Sequence, residues 1–452
     1  MKNPIICTII ILFNLSLNAQ NFIGLNTSQY AGLYSIDQNP ANIVQGKLVF
    51  ELNFLSSNLD VNASNLSLDL GNLKTFPPSW GWLNFANNQV GKLNFSSQTN
   101  VLSFAFNTKK KGAIAFTFNH RIFAEFDQFN TDLGRHIRDG FQGTFEESPI
   151  FSNPNASVNI FSWADIGLTY GRVIYDKHKH LLKGAFRVKW QLPMANLNMN
   201  VQNFDIQTIR QDTAIIRSAE FNYSYTDNFS SQINPTFFSS GVLGESLSNG
   251  TVGFDIGLTY EFRPNSRYIE EGAKYPYKWK VGASILDIGR LKYDLTESES
   301  VRKENSNEIN TTFFSDFDLF DTFWQNDDSL NVSVKTDTAA LISLPTKFNL
   351  NFDYQIYKGF FVNFNYRTGS KATNYYGEQP SNLTLTLRME SEGAGIYIPV
   401  QFQNQETQIG FATRLGPIML GVTNLSGYFL YGGEPERSSF FAGFRLPVVR
   451  KE

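Results

Sequence analysis

The chain has 452 residues, a formal net charge of −3, and 17% charged residues beside 42% hydrophobic ones. That balance, with no basic block to follow a phosphate backbone, argues against a nucleic-acid partner, and an aromatic content of 15% argues against a disordered polymer. Past the N-terminus no run approaches the ~18 apolar residues of a membrane-spanning helix, and one cysteine, Cys7, leaves nothing for disulfides or cysteine-held metals.

Residues 1–19 have the form of a cleaved secretory signal: Lys2, an apolar core from Ile5 to Leu17, and a cleavage site after Ala19. Cys7 lacks the small-residue context of a lipoprotein anchor. Residues 20–46 are rich in Gly, Asn and Ser and contain Asp37, Gln38, Asn39, Pro40 and Ala41. They show no sustained period of two or of 3.6, so they are expected to form a plug or periplasmic segment ahead of a barrel over 47–452.

From residue 47 the dominant signal is a period of two. In Thr251 to Arg263, Val252, Phe254, Ile256, Leu258, Tyr260 and Phe262 alternate with Gly253, Asp255, Gly257, Thr259, Glu261 and Arg263. Successive strand side chains point to opposite faces, so this is a strand with one greasy and one wet wall. The same reading places strands at 47–59, 99–108, 112–126, 159–176, 181–193, 250–263, 277–293, 345–357, 359–369, 382–391, 394–403, 406–415, 417–427 and 438–449. Most have the length that a tilted strand needs to cross a bilayer, roughly 9–11 residues. The connections alternate between mostly tight turns (109–111, 176–180, 264–276, 358, 392–393, 416) and mostly long loops (60–98, 127–158, 194–249, 294–344, 370–381, 428–437), with the short connection 404–405 as the exception. This sorting is what outer-membrane barrels show, short turns in the periplasm and long loops outside. The expected fold is therefore all-β: a transmembrane antiparallel β-barrel of about fourteen strands, with an N-terminal plug and long extracellular loops carrying short helices. Aromatics such as Tyr170, Trp190, Tyr260, Trp279, Tyr354 and Tyr366 are expected at its interfacial girdles.

Two of the loops carry helical spacing. Phe129, Leu133 and Ile137 fall at i, i+4 and i+8; Phe313, Phe314, Phe317, Phe320, Phe323 and Trp324 share a stripe, with Asp316, Asp318 and Asp321 away from it. Such greasy stripes form either a groove for an apolar ligand or a lid packed on neighbouring loops. The acidic residues have no calcium-loop glycine and glutamate around them. His178 and His180 lie in a lysine-rich turn, and a zinc site there would need further ligands. No nucleophile elbow, phosphate loop or metalloprotease pattern is present, so neither an enzyme nor a bound cofactor is expected.

The signal segment, the early Asn39, Pro40 and Ala41, and the helices in long outer loops together resemble the FadL-like outer-membrane barrels, and most of all the Bacteroidota branch that includes the PorV-like proteins. The resemblance implies that Asn39, Pro40 and Ala41 lie at the junction of plug and barrel wall. It also implies two functions: passive uptake of hydrophobic or amphipathic small molecules, or a non-transporting barrel serving a secretion or surface complex.

The wet faces carry charges of both signs. Arg187, Lys189, Asp255, Glu261, Arg263, Lys347, Asp353, Arg388 and Arg414 are candidates for ion pairs in the lumen, with Arg121, Asp165, Lys280, Arg367, Glu390 and Arg445 on the same faces. A lumen filled with paired charges is expected, with outer-membrane lipid against the greasy faces.

Overall fold

Alternation of apolar and polar residues settles the wall. In the strand Thr251–Phe262, Val252, Phe254, Ile256 and Leu258 are exposed on the outside, while Gly253, Asp255, Gly257, Thr259 and Glu261 are buried inside. The computed structural model describes residues 22–44, 48–68, 83–85, 89–108, 111–132, 150–210, 213–226, 246–264, 277–295, 297–304, 309–310, 331–334, 339–369, 381–403, 406–430 and 437–449.

Fourteen antiparallel strands form a closed transmembrane barrel. They are β1 (Leu48–Ser64), β2 (Val90–Asn107), β3 (Gly112–Asn130), β4 (Ile150–Lys177), β5 (His180–Arg210), β6 (Thr251–Phe262) and β7 (Trp279–Ile288). The second half has β8 (Lys347–Tyr357), β9 (Phe360–Arg367), β10 (Asn382–Glu390), β11 (Ala394–Gln403), β12 (Glu406–Ile409 and Phe411–Leu415, interrupted at Gly410), β13 (Ile418–Val422) and β14 (Arg437–Val449). Pairing of β14 with β1, from Leu48 opposite Val449 to Asn62 opposite Arg437, closes the sheet and leaves the wall no free edge. Tight turns gather at one end, where Lys111, His178, Gly359 and Gly416 adopt positive φ. A continuous outer belt of exposed Phe, Leu, Ile and Val is stable only against an apolar solvent, which a bilayer provides.

Three regions depart from the expected segments. β4 and β5 do not span 159–176 and 181–193 alone; their ladder runs from Ile150 opposite Gln207 to Lys177 opposite His180. The ladder continues through Thr213–Tyr225, Glu297–Glu304 and Asn331–Val334, so parts of the expected loops 194–249 and 294–344 are β-structure. At ~3.3 Å per residue these strands far exceed a bilayer; Leu197, Met199 and Val201 still alternate with Asn198, Asn200 and Gln202, but the Asn- and Gln-rich composition reads as loop. Phe129 belongs to β3 rather than to a loop helix: it pairs with Gly91 and packs near Val61, Ala63 and Leu93. The end of the expected strand 417–427 is instead the helix Leu425–Leu430, whose start is held by the Gly427 amide donating to Asn424 Oδ1 at 2.7 Å.

The β7–β8 hairpin also leaves the wall. Asp287 has φ 58°, and beyond it Arg290–Asp294 pairs with Ala339–Ser343 as an inward continuation of the same ladder. Its buried side, Leu291, Tyr293, Ala340 and Ile342, packs on Phe161 and Trp163 of β4. The wall thus folds over its own mouth.

If the outer belt lies against acyl chains, Leu258→Arg should destabilise the barrel by about 2–4 kcal/mol near the bilayer midplane. Urea unfolding from lipid vesicles measures this, and an unchanged midpoint would contradict the placement.

Candidate functional site

The barrel interior is occupied by residues 22–44, which wind through three short 3₁₀ turns, Leu25–Thr27, Gly32–Ser35 and Pro40–Ile43. This inner segment is held by polar groups from all around the wall. Ser28 Oγ donates to Glu390 Oε2 at 2.5 Å, and the Leu33 amide donates to Glu51 Oε2 at 2.9 Å. Arg445 donates to Glu51 and to the carbonyls of Tyr30 and Ala31. The Gln38 carbonyl accepts from Ser284 Oγ at 2.7 Å and Asn349 Nδ2 at 3.1 Å.

Asn39, Pro40 and Ala41 sit where the segment meets β6 and β7. Asn39 Oδ1 accepts from the Ala41 amide at 2.9 Å, the ordinary bond of a capping residue, and Pro40 takes the first position of the turn, where no amide proton is needed. Asn39 Nδ2 donates outward to the carbonyls of Leu258 (2.9 Å) and Ala283 (3.2 Å). The approach is possible because the wall is bare there: a Cβ at Gly257 would lie 2.9 Å from Pro40 Cδ, and one at Gly282 would lie 3.0 Å from Asn39 Nδ2. Gly171 under Val44 and Gly443 under Tyr34 repeat the device, with a hypothetical Cβ at 2.7 and 2.8 Å.

The charged residues form a buried network whose pairs lie within and between strands of the wall and reach the inner segment. Arg187 reaches Asp37 of the inner segment at 2.8 Å, Asp165 at 3.5 Å and Asp255 at 3.6 Å. Room for its guanidinium comes from Gly167, where a Cβ would fall 2.5 Å from Arg187 Nε. Burial alone would raise the Asp37 carboxyl, but Arg187 and Arg121 outweigh it and hold it below its ordinary value. Lys189 joins Asp255 (2.7 Å) and Asp287 (2.6 Å), Glu261 accepts from Lys183 (2.5 Å), and Arg263 meets Asp176 (2.7 Å). Arg388 lies 2.5 Å from Asp353 and 3.3 Å from Glu390.

Two expected ion-pair residues differ. Arg414 spends its donors on backbone carbonyls, Glu392 O at 2.8 Å and Ser391 O at 2.5 Å, because it lies beside the 391–393 turn. Lys347 has neither a hydrogen bond nor an ion pair among the described residues, since the nearest acid, Asp287, is taken up by Lys189 and Arg121. Asp37 and Asp287 were not among the sequence candidates, because neither sits on the wet face of a regular strand.

Above the inner segment lies a cavity of about 130 Å³. Asp37 lines its floor; Phe123, Phe161 and Trp163 form an apolar side; Lys347 and Arg367 face it from β8 and β9. Leu344 and Pro345, at the base of the inward hairpin, also line it. Asp60, Glu125, Asp255, Asp287, Arg121 and Arg187 line it as well, so apolar rings and charges of both signs share one small space, which can hold a small molecule with an apolar body and a polar end. Leu133, Ile137, Phe313, Phe314, Phe317, Phe320, Phe323 and Trp324 lie outside the described residues, as does the 1–19 segment.

Two substitutions test the docking. Gly257→Val should expel Asn39 from the wall and expose the inner segment to protease, and cleavage no faster than in the parent would contradict it. Arg187→Ala should cost about 3–5 kcal/mol in denaturant unfolding, because Asp37 loses its ion-pair partner and Asp165 and Asp255 are left with Arg121 and Lys189 alone.

No curated protein matches in sequence. Among solved structures, a deltaS2S3 mutant of the monoaromatic hydrocarbon channel TodX is 8% identical over 92% of this chain and 94% of its own, with a TM-score of 0.45. The Ralstonia pickettii toluene transporter TbuX is 10% identical over 96% and 99%, with a TM-score of 0.43. The Pseudomonas putida toluene transporter TodX is 10% identical over 95% and 98%, with a TM-score of 0.31. These are likenesses of general architecture. A family model covers most of the wall, from Pro40 to Thr423, and by it the chain belongs to the family of unknown function DUF5723, matched over residues 40–423.

Proposed function

We propose that the chain is an outer-membrane barrel for passive uptake of small apolar or amphipathic molecules. They enter at the loop end, rest in the luminal cavity, and pass on when the inner segment shifts as a plug. The cavity carries this reading: it lies between the loop end and the inner segment, and one side is aromatic. The reading includes export by the 1–19 signal, a plug at 20–46, and lipid as the solvent of the outer belt. Passage past Asp37 requires movement of the inner segment, because its bonds to the wall surround it.

A second reading, a scaffold subunit of a secretion or surface complex, is favoured by one observation. The β4–β5 ladder and its neighbours stand clear of the length that a bilayer needs. Affinity capture from solubilised outer membrane that recovers the barrel alone would count against it.

The plug is testable by locking it. A Cβ at Gly171 would lie 2.7 Å from Val44 Cγ2, the reach of a disulfide. In a Cys7→Ser background, Val44→Cys with Gly171→Cys should block uptake of a small apolar dye into proteoliposomes when oxidised and restore it when reduced. Equal uptake in both states would refute a moving plug.

A further inference from the structure

The tight-turn end of the barrel carries a sector of excess positive charge on its outer side, centred on Arg172. The outward row of β4 runs Leu168, Tyr170, Arg172 and Ile174, all exposed, so a guanidinium stands in a row that otherwise faces acyl chains. Register fixes its level: it lies opposite Gly112, the first residue of β3, and so at the rim of the wall on that side. Its other cross-strand neighbour is Gly184 of β5. With a glycine on either flank no adjacent side chain can answer the charge, and among the described residues Arg172 has neither a hydrogen bond nor an ion pair.

The surrounding charges have the same sign. The β2–β3 connection reads Lys109, Lys110, Lys111, and the β4–β5 turn carries Lys177 and Lys179, both exposed. A contact between Lys111 and Asp176 brings the two turns together, and Asp176 is further occupied by Arg263 at 2.7 Å. Glu261 faces inward and is taken by Lys183. The far side of the rim differs: the β10–β11 turn presents Glu392, and the β12–β13 turn at Gly416 and Pro417 has no charge. Aromatic rings accompany the basic sector, with Tyr170 6.0 Å from Phe186 between ring centres and Lys177 5.9 Å over Tyr175. Rings beside cations are what a membrane–water interface collects. An unpaired guanidinium at the edge of the apolar layer reaches toward the head-groups, where phosphate oxygens accept two of its N–H groups at once.

We propose that Arg172, with the lysines of these two turns, is the head-group site for an anionic phospholipid in the leaflet at the tight-turn end, its acyl chains lying along Ile114, Leu168 and Tyr170. The forked guanidinium holds the phosphate, and the lysines select for net negative charge. A zwitterionic head-group offers the same phosphate but brings a further cation into a sector that already has an excess of them. The inference requires the outer belt to lie in a bilayer and is independent of the uptake reading.

Native mass spectrometry of the purified full-length barrel in detergent tests it, by titration with phosphatidylglycerol or with phosphatidylcholine of the same acyl chains. Phosphatidylglycerol should bind at least about 10-fold more tightly. Arg172→Gln should weaken it about 10-fold, Lys177→Gln with Lys179→Gln should narrow the ratio between the two lipids, and Lys358→Gln on the β8–β9 turn should change neither. Arg172 has no partner in the wall to lose, so its variant is expected to fold, which heat-modifiable migration on unboiled gels checks; the double lysine variant reads the same preference without touching the strand. Equal affinity for the two lipids, or phosphatidylglycerol binding indifferent to Arg172→Gln and to the double variant, overturns the site. A polyglutamate peptide that binds more tightly than phosphatidylglycerol overturns it in favour of an acidic protein.

Discussion

Arg187 is the point through which the interior is tied together. Its guanidinium joins Asp37 of the inner segment to Asp165 of β4 and Asp255 of β6, so one cation on β5 links the wall to what fills it. A charge at that depth is tolerated only when paired and hydrogen-bonded, and Thr117 Oγ1 accepts a further bond from it at 2.6 Å. The pairing needs three things at once: the register that sets β5 beside β4 and β6, the absence of a side chain at Gly167, and the inner segment in place. Removing any one leaves buried charge without compensation.

The same economy of space runs through the remaining interior. Gly171, Gly257, Gly282 and Gly443 stand on four different strands, and each lets the inner segment lie directly on the backbone of the wall. Asn39 uses two of these bare places to reach carbonyls of β6 and β7 while capping its own turn. The segment is therefore fitted to the wall rather than loosely enclosed by it. Above it, the bend at Asp287 turns the β7–β8 hairpin across the mouth, and Arg121, one of the two cations holding the Asp287 carboxylate, lines the cavity as well.

The wall was legible in the sequence because lipid on one side and charge on the other impose a strict alternation. Val252 to Phe262 needed only that rule. The ladder above the bilayer was not legible although Leu197, Met199 and Val201 alternate with Asn198, Asn200 and Gln202, because a stretch so rich in Asn and Gln has the composition of a loop. Phe129 was misplaced for a related reason: its spacing to Leu133 and Ile137 looks helical, but a bulge at the end of β3 sets its direction. The charged lining was visible as a set of residues, while its partners were not, because pairing depends on register. Inward glycines were a signal present in the sequence: in a wet face otherwise made of Asp, Thr and Glu, Gly257 marks where another part of the chain must approach.

Closure of the lumen by the inner segment is the claim on which both the cavity and its proposed ligand stand. Single-channel conductance in planar bilayers addresses it most directly, comparing the intact barrel with one lacking residues 22–44. The intact barrel should give no steady open-pore current, and the deletion should conduct continuously. A steady current from the intact barrel, or a deletion that inserts and stays closed, would contradict the account.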